Sequence, residues 1–204
     1  HSALSCDGAP PARLDLRLAA LLHDIGKTPS FTTDAEGGYS FHGHEQESER
    51  LSESILRRLR FPNATISHVS HLVRHHMFNY QPDWSDAAVR RFIARVGEKS
   101  VPDLLKLREA DLYGKHGEHR SDRNLDELER RVAAVLEARQ ALGIRDLALN
   151  GNQLHEEAGI PKSRVMGEVL EFLLERVLED PALNEKQKLL ELARSYYREH
   201  REAR

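Results

Sequence analysis

Positions 23 and 24 of this 204-residue chain are a histidine followed by an aspartate, inside the run Leu18-Ala-Ala-Leu-Leu-His-Asp-Ile-Gly-Lys27. A neutral imidazole and a carboxylate adjacent on one rigid element can bind a divalent cation from two directions. Further donors follow at wide spacings: His44, the pair His75 and His76, and Asp111, with His1 ahead of them all. A lone histidine on an apolar helix face is commonly an ordinary core residue, so it is the combination that points to a metal. A mixed imidazole and carboxylate shell suits Mn, Fe, Co, Ni or Zn better than Mg or Ca. The chemistry expected of one or two such ions is phosphate-ester hydrolysis, because a divalent ion lowers the pKa of bound water from about 15.7 towards 7 and makes it a nucleophile. Asp24 is the natural carboxylate to be shared between two ions. Lys27, one turn on, is placed to bind a phosphate oxygen; its alternative is a solvated surface lysine.

Helices must position these groups. Leu14, Leu18, Leu21, Leu22 and Ile25 recur at helical spacing, which predicts a helix buried on that side, stopped by Gly26 and Pro29, with His23 and Asp24 at its end. Residues 28–41, with Pro29, Asp34, Gly37 and Gly38, read as a loop with room for a short hairpin. A helix over about 43–60 puts His44, Ser48, Leu51, Ile55 and Leu59 on one face, so His44 is expected to face the core. Pro62 and Asn63 open a helix with Ile66, Val69, Leu72 and Val73 apolar and His75-His76 at its end. In the helix begun at Pro102, Leu104, Leu107 and Asp111 follow an i, i+3, i+7 pattern, so an acid stands where a core residue is expected. A buried charge needs a partner, and a cation is one.

Gly114 to Ser121 reads as a local break, 125–142 as a long helix closed by Gly143, and Asn150-Gly-Asn152 as the entry to helices near 162–179 and 184–201. With no period-two alternation and no internal repeat, the expected fold class is all-α. The expected division is a helical bundle over 1–120, a connecting long helix over 121–149 and a small helical tail over 150–204.

Composition narrows the class further. A hydrophobic fraction of 39% and a charged fraction of 31% fit amphipathic helices. No run approaches the roughly 18 apolar residues that read as a membrane span. A single cysteine, Cys6, leaves no intrachain disulfide, and a reducing cytoplasm is the expected compartment. A formal charge of −3 gives no global attraction to nucleic acid, so RNA would need local patches. Arg90, Arg91 and Arg95 are candidates, as are Arg57, Arg58, Arg60 and the Arg130-Arg131 pair; the alternative is solvated helix faces paired with glutamates. Tyr196 and Tyr197 offer stacking to bases, or packing within the tail. The chain begins at His1 rather than at a methionine, as expected of a piece of something longer.

The order His, His-Asp, later histidines and a closing Asp resembles the HD phosphohydrolase superfamily. That resemblance makes His1 the leading ligand, His23-Asp24 the signature pair and Asp111 the closing acid. His44, in Phe41-His-Gly-His-Glu45, together with His75 and His76 matches the extra histidines of branches that hold two metals. His44 is preferred to His42 because it lies within the amphipathic helix. Stretches covering nearly the whole chain also resemble a narrower family, the bacterial CCA-adding enzyme and poly(A) polymerase type of tRNA nucleotidyltransferase that carries an HD domain behind its catalytic head. They include 17–27, 41–45, 55–61, 72–77, 88–93, 107–112, 146–152 and 159–184. The head's Gly-Gly-Ser loop and acid pair have no counterpart here. By resemblance, then, the chain is the HD domain and tail of such an enzyme, without the polymerase head. The resemblance implies a metal-dependent phosphomonoesterase or 2′,3′-cyclic phosphodiesterase, with a nucleotide or phosphate ester as substrate, one or two divalent ions as cofactor and tRNA as partner. Two rival readings are a non-catalytic RNA-binding HD body and a nucleotide-binding regulatory module.

Overall fold

The computed structural model describes residues 1–33 and 36–202; Asp34, in the loop expected over 28–41, lies outside them. In chain order the elements are α1 (Ser2–Gly8), α2 (Leu14–Leu22), β1 (Thr32–Thr33), β2 (Tyr39–Ser40), α3 (His44–Arg58), α4 (Asn63–His75), α5 (Asp86–Val96), α6 (Val101–His116), α7 (Arg123–Glu137), α8 (Gly151–Ala158), α9 (Arg164–Glu179) and α10 (Lys186–Glu202). The class is all-α, as expected, with one short hairpin among the described residues. No described helix is long and apolar enough to cross a membrane. The chain divides into two compact units, one of 1–81 with 99–129 and one of 82–98 with 130–204. The segment that contains α5 therefore groups with the tail, whereas the sequence pattern assigned it to the first domain.

In the first unit, α2 packs against α1, α4 and α6. Its fully buried line is Leu16, Ala19, Ala20 and His23, an i, i+3, i+4, i+7 ridge. The expected face is displaced: Leu14 is 59% exposed. Apolar residues stand on opposite sides of α2, with Asp15 and Arg17 between them, so periodicity alone does not fix which apolar side turns inward, and here two alanines do so where α1, α4 and α6 pack. A similar displacement occurs in α3. Its buried ridge is His44, Ser48, Ser52 and Leu56, and Leu59 is 59% exposed. Serines fill this ridge because the approach is close. The Gly26 N–H donates to Ser48 Oγ at 2.8 Å. A Cβ at Gly26 would run into the His44 carbonyl and would lie 2.5 Å from the Ser48 nitrogen.

The helix α1 has no counterpart among the helices expected from the sequence, the first of which is built on Leu14 to Ile25. It packs on α6 through glycines on both sides. A Cβ at Gly8 would lie 2.6–2.8 Å from the Tyr113 side chain, and one at Gly114 would meet Ser5 and stand 3.1 Å from His1 Cε1. Gly114 is thus a site of close approach inside α6, and the break expected over 114–121 begins at Gly117, whose φ is 75°, with α7 starting at Arg123. Away from that contact, the Arg13 guanidinium grips Asp15 and Asp103, with closest approaches of 2.8 and 2.6 Å. His68 Nε2 lies 3.1 Å from Asp103. This network joins α2, α4 and α6.

The second unit is centred on α9, where Val169, Leu173 and Val177 pack with Leu154, Ile160, Leu189 and Ala193. From α5, the buried Arg90 donates Nε to Leu178 O at 2.7 Å and Nη2 to Glu179 O at 2.9 Å. It thereby satisfies carbonyls that the end of α9 leaves open. Tyr196 stacks between Phe172 at 4.3 Å and His200 at 3.9 Å, so it packs within the tail.

The contact at Gly26 makes a direct prediction. Gly26→Ala pushes a methyl group into rigid backbone and is expected to destabilise the protein by about 3 kcal/mol, at the upper end of overpacking costs. Chemical denaturation measures it, and an unchanged midpoint would contradict the close approach of the turn after α2 to α3.

Candidate metal centre

Beyond Leu22 the helix tightens. Ile25 N–H donates to Leu22 O at 3.1 Å and Lys27 N–H to Asp24 O at 3.0 Å, both i→i−3 bonds. His23, Asp24 and Lys27 leave α2 on this turn. His1 precedes α1, His44 is the first residue of α3, His76 follows the last residue of α4, and Asp111 lies in the second half of α6. All belong to the first unit.

The side chains converge. His1 and His23 meet Nε2 to Nε2 at 3.2 Å, and Asp111 Oδ1 lies 3.0 Å from the first and 3.5 Å from the second. His44 and His76 meet Nε2 to Nε2 at 3.3 Å, and Asp24 Oδ1 lies 3.4 and 3.6 Å from them. The other oxygen of Asp24 faces the first group, 3.4 Å from His23 and 3.6 Å from His1. Two triads result, His1, His23, Asp111 and Asp24, His44, His76, each with its donor atoms within 4.8 Å of one another.

What fixes the imidazoles is the main chain. His23 Nδ1 lies 2.7 Å from Ala20 O, His44 Nδ1 2.9 Å from Phe41 O and His76 Nδ1 2.7 Å from Val73 O. A carbonyl only accepts, so each Nδ1 carries a proton, and in the neutral ring each Nε2 is left with a lone pair. His44 and His76 are both buried, so two lone pairs confront each other away from water. Only a shared proton or a cation relieves that, and a backbone bond on the far nitrogen is the usual support of a metal-bound histidine. The donor set therefore fits divalent metal.

The charges around it are strongly coupled. Burial alone would push His23 down, but the Asp111 and Asp24 carboxylates outweigh it and hold the imidazole up, at about 9. Burial alone would raise Asp111, yet His23 and Lys115 bring it down to about 2. Burial acts on Asp24 in the same direction and His23 overrides it, so Asp24 stays far below the usual carboxylate range.

Cationic side chains line the outer face. Asp111 Oδ2 accepts from Lys115 Nζ at 2.7 Å and Arg108 Nη1 at 3.0 Å, and Asp24 Oδ2 accepts from Lys27 Nζ at 2.6 Å. They border a cleft of about 450 Å³ lined by His23, Asp24, Lys27, His76, Met77, Phe78, Asn79, Arg108, Asp111 and Lys115. Arg108 and Lys115 were missed in the sequence. Their signal was present, since positions i−3 and i+4 share a helix face with Asp111.

Other candidates fall elsewhere. The His75 ring packs on His71, 4.6 Å between centroids, and is not brought into either triad. His42 is exposed. Arg90, Arg91 and Arg95 belong to the second unit. Arg90 is occupied at the end of α9, and Arg91 pairs with Glu175 at 2.9 Å and Glu179 at 2.6 Å. Arg95 is exposed.

Fold and site together define an all-α protein whose first unit gathers four histidines and two aspartates beside a cationic cleft. Residues 41–193 match the family model for tRNA nucleotidyltransferase domain 2, and the chain belongs to that family. It is 37% identical over 171 residues to the A-adding tRNA nucleotidyltransferase of Deinococcus radiodurans, covering 81% of this chain and 38% of that protein. It is 34% identical over 167 residues to the CC-adding tRNA nucleotidyltransferase of Thermus thermophilus, covering 81% of this chain and 36% of the relative. With the multifunctional CCA protein of Cupriavidus taiwanensis, identity is 30% over 183 residues, 87% of this chain and 42% of the relative. The chain thus spans less than half the length of these relatives. No solved structure gives a significant match. The family match begins at residue 41, so His1, His23 and Asp24 lie ahead of it.

The raised His23 sets a pH dependence. Without metal, the protonated imidazole stabilises the fold fully below its ordinary value of 6.5, and that contribution is lost as pH rises through about 9. The depressed aspartates contribute above their ordinary 3.8 and lose that contribution as pH falls through their lowered values. A metal ion must displace the His23 proton, so its affinity is expected to rise about tenfold per pH unit up to pH 9 or so and then level off. Thermal unfolding with Mn²⁺ or with chelator across this range measures it. A stabilisation by metal that is the same at pH 6 and pH 9 would contradict the arrangement.

Proposed function

We propose that the first unit is a metal-dependent phosphohydrolase of the HD type, cleaving a phosphomonoester or a 2′,3′-cyclic nucleotide end, within a tRNA nucleotidyltransferase. The observation that carries this is the confrontation of His44 and His76 through Nε2 at 3.3 Å, with both Nδ1 protons committed to carbonyls and Asp24 turned towards both triads. His1, His23 and Asp111 would hold one divalent ion and His44 and His76 a second, with Asp24 shared between them; the imidazole content favours Mn, Fe, Co, Ni or Zn over Mg. When bound, such ions supply Lewis acidity at the phosphoryl group and lower the pKa of water.

The chain's own residues do the rest. Lys27, Arg108 and Lys115 attract and orient the phosphate oxygens, Arg108 with the paired donors that suit them. Carbonyls of residues 20, 41 and 73 keep the imidazoles aimed inward. The buried ligand positions of His23, His44 and His76 restrict water around the reacting centre. For the whole protein, tRNA is the proposed partner, since the relatives' names are those of tRNA nucleotidyltransferases.

The test is hydrolysis of 2′,3′-cyclic AMP and p-nitrophenyl phosphate across added Mn²⁺, Co²⁺, Ni²⁺ and Mg²⁺, with metal content measured on the same samples. Asp24→Asn and Asp111→Asn are each expected to lower turnover by more than about 100-fold, beyond the usual cost of losing an outer-shell partner. His75→Ala is expected to keep metal and activity. Metal retained at the triads with no turnover of any ester would replace this reading with that of a non-catalytic metal-holding body.

A further inference from the structure

The hairpin next to the cleft carries an aromatic surface for which ester hydrolysis alone has no use. β1 and β2 pair antiparallel with Thr32 opposite Ser40 and Thr33 opposite Tyr39. Extending that register by one step sets Phe31 opposite Phe41, on the same face as Tyr39. The rings do gather there. Phe31 and Tyr39 stack with centroids 6.4 Å apart and planes 26° from parallel, and Phe41 lies 5.8 and 5.9 Å from the two.

These rings are not hidden. Tyr39 is 72% exposed and Phe31 52% exposed, although two-residue strands have no other apolar side chains to shelter. Lys27 connects this face to the centre: its Nζ lies 2.6 Å from Asp24 Oδ2 and 5.9 Å from the Phe41 ring centroid. Thr32 and Ser40, one step along each strand, carry their hydroxyls on the opposite face of the hairpin, where Thr32 Oγ1 and Ser40 Oγ are hydrogen-bonded at 2.9 Å. A small aromatic face with an ammonium group at its edge suits a flat heterocycle with an anionic tail better than an extended apolar partner. Each base has a π-face, so such a platform accepts bases with little sequence preference.

We propose that Phe31, Tyr39 and Phe41 form a stacking platform for the base of a nucleotide whose phosphate lies in the cleft against Lys27, Arg108 and Lys115. This rests on the phosphohydrolase reading and narrows its substrates to esters that carry a nucleobase. The nucleotide is either free or the terminal residue of an RNA; the recognition chemistry is the same.

Equilibrium dialysis with the Mn²⁺-loaded full chain tests it, using ligands slow to hydrolyse: adenosine 3′-phosphorothioate, inorganic thiophosphate as the base-free probe, and a short RNA ending in a 3′-phosphorothioate. The nucleotide is expected to bind about tenfold tighter than thiophosphate. Phe31→Ala and Tyr39→Ala are each expected to remove most of that advantage and to leave thiophosphate binding unchanged, which separates stacking from damage to the cleft. Tighter binding of the RNA with the same sensitivity assigns the platform to an RNA end; tighter binding of adenosine 3′-phosphorothioate assigns it to a free nucleotide. Equal affinities for nucleotide and thiophosphate, no binding of either, or variants without effect would overturn the proposal. A separate failure to hydrolyse any ester would remove the phosphohydrolase reading while leaving a demonstrated nucleotide site in place.

Discussion

Three imidazoles in the first unit each give their Nδ1 proton to a carbonyl three residues earlier in the chain, and the rest of that unit follows from where this leaves Nε2. A histidine bonded in this way cannot rotate to suit a ligand, so its aim is decided by the backbone around it. Residues 20–23, 41–44 and 73–76 must each turn correctly, and the three segments must meet. Gly26 permits the turn that follows α2 to lie flush on the start of α3, and Gly114 permits α6 to lie flush on α1 beside His1. Backbone approach of that kind is rigid, which is the property a preorganised site requires.

Much of this was legible in the sequence because the types were unusual for their positions. An acid seven residues after Leu104 and four after Leu107 demanded a partner, and Asp111 has several. Placing His44 within an amphipathic helix separated it from His42, and the structure buries the first and exposes the second. His75 and His76 could not be separated in the same way, because both close an apolar helix. One turns to the triad and the other to His71. The helical phase of α2 was illegible for a related reason: apolar residues stand on two opposite sides, divided by Asp15 and Arg17, and the choice of inward face belongs to the neighbours. The short α1 escaped notice because Ser2–Gly8 has little apolar periodicity and is held by contact with α6 and α2.

Basic residues were the least legible. A run of arginines in sequence suggests a phosphate-binding face, yet hydrogen bonds within the second unit account for two of the three in α5. Arg90 closes the end of α9, and Arg91 pairs with its glutamates. The cations that do border the cleft, Arg108 and Lys115, are scattered among acids and apolar residues in α6. Family membership does not decide the matter either way. The model match over 41–193 and the similarity to tRNA nucleotidyltransferases concern the chain as a body, whereas hydrolysis must be argued from the geometry of particular side chains.

That geometry contains an exchange of partners. In the absence of metal, Asp24 is matched by Lys27, and Asp111 by Arg108 and Lys115. Each cation neutralises a carboxylate that burial would otherwise penalise. On the proposed reading, a metal ion would compete with Lys27 for Asp24 Oδ2, and an ion on Asp111 Oδ1 would share that carboxylate's charge with Arg108 and Lys115, which stay on Oδ2. The positive charge of the three side chains would then be less fully offset by the protein's own carboxylates. A phosphate ester supplies the balancing anion, and a nucleotide supplies in addition a base for the rings next to Lys27. Metal loading would therefore both create the hydrolytic centre and raise the affinity of its rim for the substrate, coupling two events through the same pair of aspartates.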